Sequence, residues 1–184
     1  YQIERLSRLV ADLRKLAELE VRPLETSDVN LAELLDDTVE AVCSLPAYAN
    51  RKIQVVIPRV PWPLPVILGD RDLLELAFYN LIDNALKYSN QMDMVEVRAV
   101  EDGKRVQIEV ADNGSGIPTD DLPRLFDELY RGANAQGFEG SGLGLALVRR
   151  VIERHGGEIS VRSRQGKQQG TVFRTVLPIP SGKK

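Results

Sequence analysis

The chain has 184 residues, 43% of them apolar and 28% charged, with a net charge of −3. That length suits one domain plus an appendage, and the apolar share supplies a core and excludes a disordered chain. The charge balance excludes a general basic field for nucleic acid, and no run approaches the ~18 apolar residues of a membrane span.

The first 21 residues read as a helix. Ile3, Leu6, Val10, Leu13 and Ala17 alternate spacings of three and four, and Leu9 and Leu16 widen the stripe. This is the seam of a bundle or coiled-coil helix. No capping residue precedes it, so it is expected to start mid-helix. So wide a stripe needs partner helices, most simply from a second copy of the chain; the alternative is a helix folded back on its own domain. Pro23 then breaks the pattern, and residues 22–27 read as a linker. The main domain is expected over residues 28–180, with 181–184 as a tail.

Asn30 with Glu33 three residues on has the form of a capping box opening the helix "NLAELLDDTVEAV". Cys43, the single cysteine, sits near its end as a buried structural thiol and excludes an internal disulfide. "KIQVVI" is a strand. "PRVPWPLPV" is a stiff proline loop with Trp62 as a packing plug. "DLLELAFYNLIDNALKYS" is a strong helix, and "MVEVRAV" and "RVQIEVAD" form a hairpin around Asp102-Gly103. Residues 113–140 are glycine-rich and poorly periodic. "LALVRRVIERH" is a helix ending at Gly156-Gly157, and "EISVRSR" and "TVFRTVLP" close the chain as strands. The sum is an α/β fold, a mixed and mostly antiparallel sheet with helices on one face.

The chemistry starts on the helix before the hairpin. Asn80, Asn84 and Lys87 interrupt an apolar run at spacings of four and three, which puts them on one face. Asparagine disfavours helix interiors because its side chain competes for backbone bonds. The face is either a solvated one or a cation and phosphate site. Amide oxygens suit Mg²⁺, which completes its shell with water and substrate phosphates, and a lysine supplies a point charge to those phosphates.

Two glycine loops follow, "DNGSGIP" after a strand and "GSGLGL" before a helix. Neither is a Walker loop or a dinucleotide fingerprint. Gly140, Gly142 and Gly144 still present backbone amides at a helix N-terminus, an anion site. Asp112 at the head of the first loop would repel a phosphate there.

In order, Asn80…Asn84, "DNGSGI", "LPRLFDELYRG", "GSGLGL" and "GTVF" resemble the N, G1, F, G2 and G3 boxes of sensor histidine kinases. The catalytic ATP-binding domain of that family shares a superfamily with gyrase, the heat-shock chaperone and mismatch-repair ATPases. The resemblance covers about residues 26–180. It implies a two-layer α/β sandwich with three helices on one face of the sheet. The leading helix resembles, less specifically, the end of the second helix of the dimerisation and phosphotransfer domain.

The resemblance implies ATP and Mg²⁺ as cofactors and a role for each site residue. Asn84 coordinates the metal with Asn80 beside it, Lys87 meets phosphate, and Tyr88 lies against the adenine. Asp112 accepts a hydrogen bond from the adenine amine. An ionised carboxylate only accepts, so it selects adenine over guanine. Gly114 and Gly116 admit the nucleotide, and Ile117 lines its pocket. The loop from Gly140 through Ser141, Gly142 and Leu143 to Gly144 and Leu145 wraps the triphosphate. Arg131 reaches the γ-phosphate, and Thr171 lies behind the adenine. Phe126 and Leu129 are apolar pegs of a lid whose residues 132–140 suit disorder without nucleotide. Leu129 and Ser141 depart from the usual Phe and Thr.

Hydrolytic members of the superfamily carry a glutamate base where this chain has Asn80. An amide cannot activate water, so the resemblance implies a kinase, with Asn80, Lys87 and Arg131 at the reacting end. The nucleophile would be a histidine on a dimerisation domain preceding this segment, with relay to a response-regulator aspartate. His155 sits at a helix C-terminus and is expected to be structural. The implied setting is the cytoplasmic domain of a homodimeric, membrane-anchored sensor, reaching the membrane only through upstream segments and binding no nucleic acid. A nucleotide-binding pseudokinase and an anti-sigma-type serine kinase are the alternatives.

Overall fold

A computed structural model describes residues 2–132, 135, 138 and 140–180, the side chains of residues 2–8, 12 and 20 excepted. Ile3 and Leu6 of the seam, lid residues Ala133, Asn134, Gln136, Gly137 and Glu139, and the tail 181–184 lie outside the described residues, with the expectations placed on them.

Helix α1 spans Gln2–Val21. Its stripe divides. Leu19 is buried and Leu16 packs against the core, whereas Val10 is 60% exposed and Leu13 is exposed too. The last turn is held from outside: the Arg154 guanidinium donates to the carbonyls of Leu19 (2.5 Å) and Arg22. Those are carbonyls a helix end leaves without partners of its own. The fold-back alternative therefore holds for the final turn.

The chain continues through β1 (Ser27–Val29), α2 (Leu31–Cys43), β2 (Lys52–Val56), β3 (Ile67–Gly69) and α3 (Arg71–Lys87). Then come β4 (Met94–Asp102), β5 (Arg105–Asp112), α4 (Gly144–Arg154), β6 (Glu158–Arg164) and β7 (Gly170–Pro178). Five strands form the main sheet in the order β2-β4-β5-β7-β6. β2 runs parallel to β4, and every other pairing is antiparallel. Period-two burial drives it: Val106, Ile108 and Val110 point into the core, while Glu109 on the open face pairs with Arg174 at 2.7 Å.

Helices α2, α3 and α4 cover the inner face, with α3 between the other two. That position explains its composition. Leu74, Ala77, Phe78, Leu81, Ile82, Ala85 and Leu86 are all buried, leaving one narrow polar strip. Asn30 caps α2 through Oδ1, which accepts from the amides of Ala32 and Glu33; Glu33 makes no return bond, so the capping box is half formed. Among the described residues no helix is long and apolar enough to cross a membrane.

Several expectations change. Ser27, read as linker, opens β1, which pairs antiparallel with β3 just after the proline loop. Two three-residue strands leave too little alternation to read. Trp62 is 82% exposed and plugs nothing, because its proline-flanked loop stands clear of the core. Cys43 is half-buried. The β4–β5 turn is Gly103-Lys104, with Gly103 at φ 63°.

His155 is structural, for a different reason than its helix-end position suggested. Its Nε2 accepts from the Asp70 amide at 2.9 Å, and its Nδ1 donates to the Val151 carbonyl at 2.7 Å. An imidazolium has no acceptor, so the ring bridges as the neutral form, and burial lowers its pKa. A pKa below the unfolded value stabilises the fold above about pH 6.5, and this contribution is lost as pH falls. The unfolding free energy of the wild type over His155→Gln is therefore expected to shrink from pH 7.5 to pH 5 in urea titrations. A constant difference would show that the ring does not bridge as a neutral acceptor.

Candidate functional site

The polar strip of α3 forms one wall of a cavity of about 540 Å³, a size typical of small-molecule sites. Asn80, Asn84 and Lys87 all line it. Asn80 is oriented by its own helix: Nδ2 donates to the Leu76 carbonyl at 2.7 Å. That leaves Oδ1 directed at Gly144, where a Cβ would come within 2.8 Å of it. A larger residue at the start of α4 would therefore displace the Asn80 amide from this position.

A second wall is the carboxyl end of β5. The β5–β7 register sets Asp112 opposite Thr171, and both are buried, Asp112 to 7% exposure. Burial pushes the Asp112 carboxyl up to about 6, opposed by hydrogen bonds from the backbone amides of Gly114 and Thr171. The Gly114 bond is 2.8 Å. Next along, the Ile117 amide donates to Ser163 Oγ (2.8 Å), which also meets Thr171 Oγ1 (2.9 Å). Ser163 on β6 thus fixes the loop that carries Ile117.

The remaining walls come from the glycine loop and the segment before it. Gly140, Ser141, Gly142, Gly144 and Leu145 reach the cavity, and Ser141 Oγ accepts from the Leu143 amide at 3.2 Å. Arg131 lines the cavity, with its Nη2 donating to the carbonyls of Ala135 and Phe138, each at 2.6 Å. The Phe138 ring meets Tyr88 edge-on with centroids 4.9 Å apart, on the ring expected to lie against adenine.

Fourteen of the sixteen expected binding residues thus line one cavity: Asn80, Asn84, Lys87, Tyr88, Asp112, Gly116, Ile117, Arg131, Gly140, Ser141, Gly142, Gly144, Leu145 and Thr171. Gly114 and Leu143 do not. At Gly114 a Cβ would strike the Tyr88 carbonyl and the Asp112 side chain, so glycine there permits close packing of the loop on the end of α3. Leu143 is fully buried and anchors the glycine loop to the core. Leu129 is also corrected. It is 54% exposed with φ 62°, and that left-handed backbone accompanies a side chain left outside the core. Phe126 does pack inward, edge-on to Phe173 at 6.4 Å.

Sequence reading missed Tyr48, Asp83, Tyr130 and Phe173 among the lining residues. Asp83 was legible, since it precedes Asn84 on the polar strip. Tyr48 and Phe173 reach the cavity only through tertiary packing. Among the described residues no group of three or more His, Cys, Asp or Glu is arranged to hold a metal ion. The donor set at α3 is neutral amide oxygen beside a lysine, which fits a hard cation completed by phosphates and water and not an all-protein cage.

Residues 69–181 match the model of the histidine kinase-, DNA gyrase B-, and HSP90-like ATPases. The chain belongs to that family. This ATPase-family chain is 36% identical over 180 residues to the signal transduction histidine-protein kinase/phosphatase MprB of Mycobacterium sp. (strain KMS), covering 96% of itself and 34% of MprB. It is 33% identical over 183 residues to the adaptive-response sensory kinase SasA of Thermosynechococcus vestitus, covering 98% of itself and 47% of SasA. It therefore spans between a third and a half of these curated relatives. The solved mycobacterial sensor histidine kinase MprB superposes with a TM-score of 0.72 at 31% identity, over 84% of this chain and 97% of that one. Full-length ShkA in complex with AMPPNP superposes with a TM-score of 0.79 at 30% identity, over 97% of this chain and 37% of ShkA. The ATPase fold and its five-stranded mixed sheet are thereby shared with histidine kinases.

The packing beneath the loops can be tested without a ligand. Gly114→Ala forces a Cβ onto rigid backbone and is expected to destabilise by about 1–3 kcal/mol. Gly140→Ala meets only the flexible end of Lys87 and is expected to stay within about 0.5 kcal/mol of wild type. Chemical denaturation of both variants checks this; equal stability would mean that Gly114 is not packed as described.

Proposed function

We propose that this chain is the catalytic ATP-binding module of a sensor histidine kinase, transferring the γ-phosphoryl group of Mg-ATP to a histidine on a dimerisation domain. One observation carries the reading: Asp112, a buried acceptor, lines the same cavity as the Asn80–Asn84–Lys87 strip. Adenine offers an amine to the first and a triphosphate runs to the second. Asn84 and Asn80 would hold Mg²⁺, which neutralises phosphate charge when bound. Lys87, the amides of the glycine loop and Arg131 would hold the phosphates and the charge that develops on them. Arg131 would first exchange its two lid carbonyls for phosphate oxygens.

Asn80 stands where hydrolytic relatives need a base, so water is not activated and ATP waits for a better nucleophile. That nucleophile is not His155, whose two ring nitrogens are both hydrogen-bonded inside the fold. The acceptor belongs to another segment. We read residues 1–21 as the C-terminal part of the second dimerisation and phosphotransfer helix, 22–27 as its linker and 28–180 as the catalytic domain. The exposed Val10 and Leu13 on α1 support this. The partners are then a second copy of the protein and a response regulator, and the setting is the cytoplasm, with any membrane anchor outside this module.

With labelled Mg-ATP the chain is expected to bind nucleotide, to leave itself unlabelled, and to give an acid-labile phosphate on a dimerisation domain supplied in trans. Acid-stable label would indicate serine phosphorylation, and binding without transfer would indicate a pseudokinase. Asn84→Ala is expected to abolish the Mg-dependent part of ATP affinity in calorimetry; an unchanged affinity would remove Asn84 from the metal site.

The base pocket has its own test. With the Asp112 carboxyl raised to about 6, the empty pocket takes up a proton below that pH, and the ionised acceptor binds. Adenosine, which lacks titrating phosphates, is expected to lose affinity by roughly tenfold per pH unit below about 6. The same affinity at pH 7.5 and pH 5 would contradict a base-reading carboxylate.

A further inference from the structure

The cavity holds a second carboxylate that the proposed reaction leaves without a task. Asp83 lies on α3 between Asn80 and Lys87 and lines the cavity beside Tyr48. Tyr48 comes from the short turn of helix at Pro46–Tyr48, between α2 and β2. Its hydroxyl donates to Asp83 Oδ1 at 2.8 Å. Burial, and then this bond, raise the Tyr48 pKa, so the phenol stays a donor. Asp83 Oδ2 has no hydrogen-bond donor among the described residues.

A carboxylate beside the path of a polyanion must face a donor, because it only accepts when ionised and like charges repel. A magnesium nucleotide offers three kinds of positive partner: the exocyclic amine, the metal ion and the ribose hydroxyls. Asp112 at the end of β5 takes the amine. The ion is assigned to Asn84 with Asn80 beside it, and Asp83 points about 100° around the helix from Asn84. Although Asp83 neighbours Asn80 at a spacing of three, its carboxylate is held to Tyr48 while the Asn80 amide oxygen is directed at Gly144. The ribose hydroxyls remain. They lie between base and phosphates in any nucleotide, as Asp83 lies on the strip that serves the phosphates, close enough for its charge to be felt at Tyr88.

We propose that Asp83, oriented by Tyr48, accepts a hydrogen bond from a ribose hydroxyl and makes the site selective for ribonucleotides. The proposal rests on the nucleotide reading of the cavity. Tyr48 is the positioning residue: by occupying Oδ1 it fixes the carboxylate and leaves Oδ2 for the sugar. The contact is a hydrogen bond to a charged acceptor, the stronger kind.

Calorimetry on the full chain with Mg-ATP and Mg-2′,3′-dideoxy-ATP tests it. Wild type is expected to bind ATP about tenfold more tightly than the dideoxy nucleotide. Asp83→Ala is expected to bring the two to about equal affinity by weakening ATP alone. Tyr48→Phe keeps the carboxylate but frees its orientation, and is expected to give an intermediate ratio; it carries the test if Asp83→Ala does not fold. Equal affinities in wild type, or an unchanged ratio in the variants, would overturn the ribose contact and leave the nucleotide reading intact. No binding of either nucleotide would overturn both.

Discussion

A carboxylate kept almost out of water organises this molecule. Asp112 ends β5, and its burial is tolerable because two backbone amides, of Gly114 and Thr171, point at it. Those amides are present only if β7 pairs with β5 in the observed register and the chain turns at once after residue 112. The turn in turn needs glycine at 114, packed on the Tyr88 carbonyl, and the Ser115 amide donates to that same carbonyl at 3.3 Å. The end of α3 and the end of β5 are thus joined, and the Asp112 pocket and the polar strip of α3 come as one unit.

Helix α3 is the other half of that unit. It is buried on so many sides that its polar strip cannot be a casual solvated face. Its two ends are tied as firmly as its middle. Asp70 caps its start, with Oδ1 accepting from the Leu73 amide while Oδ2 accepts from the Glu25 amide. The Asp70 amide donates to His155 at the end of α4. One short polar chain therefore links the segment leaving α1, the start of α3 and the end of α4. Arg154, the neighbour of His155, grips the last turn of α1. The two helices that frame the cavity are anchored on the far side to the very segment that leads out of the domain. Rigid placement of this kind fixes the geometry of the groups that line the cavity.

The lid side differs in kind. Its described contacts include two carbonyls on Arg131, one ring edge on Tyr88, Phe126 against Phe173, and the Tyr130 hydroxyl donating to Asp121 at 2.8 Å. A cation and an aromatic ring that the nucleotide would use are engaged with the lid's own backbone and Phe138.

How much was legible follows from range. The helices and the five long strands were readable because burial repeats every 3.6 or 2 residues along the chain. The polar strip was readable because Asn80, Asn84 and Lys87 break an otherwise apolar helix at helical spacing. The sequence by itself determined which residue types could meet a base, a cation and phosphates, and in what order they occur. It could not show that Gly114 and Leu143 support the loops from beneath, that Leu129 turns outward, or that Trp62 stays in solvent; those depend on which surfaces meet. Nor could it bring Tyr48 to Asp83, 35 residues apart, or Ser163 to Ile117, 46 residues apart. Such pairings leave no local period, and only the closing of helices over the sheet, with its strand register, decided them.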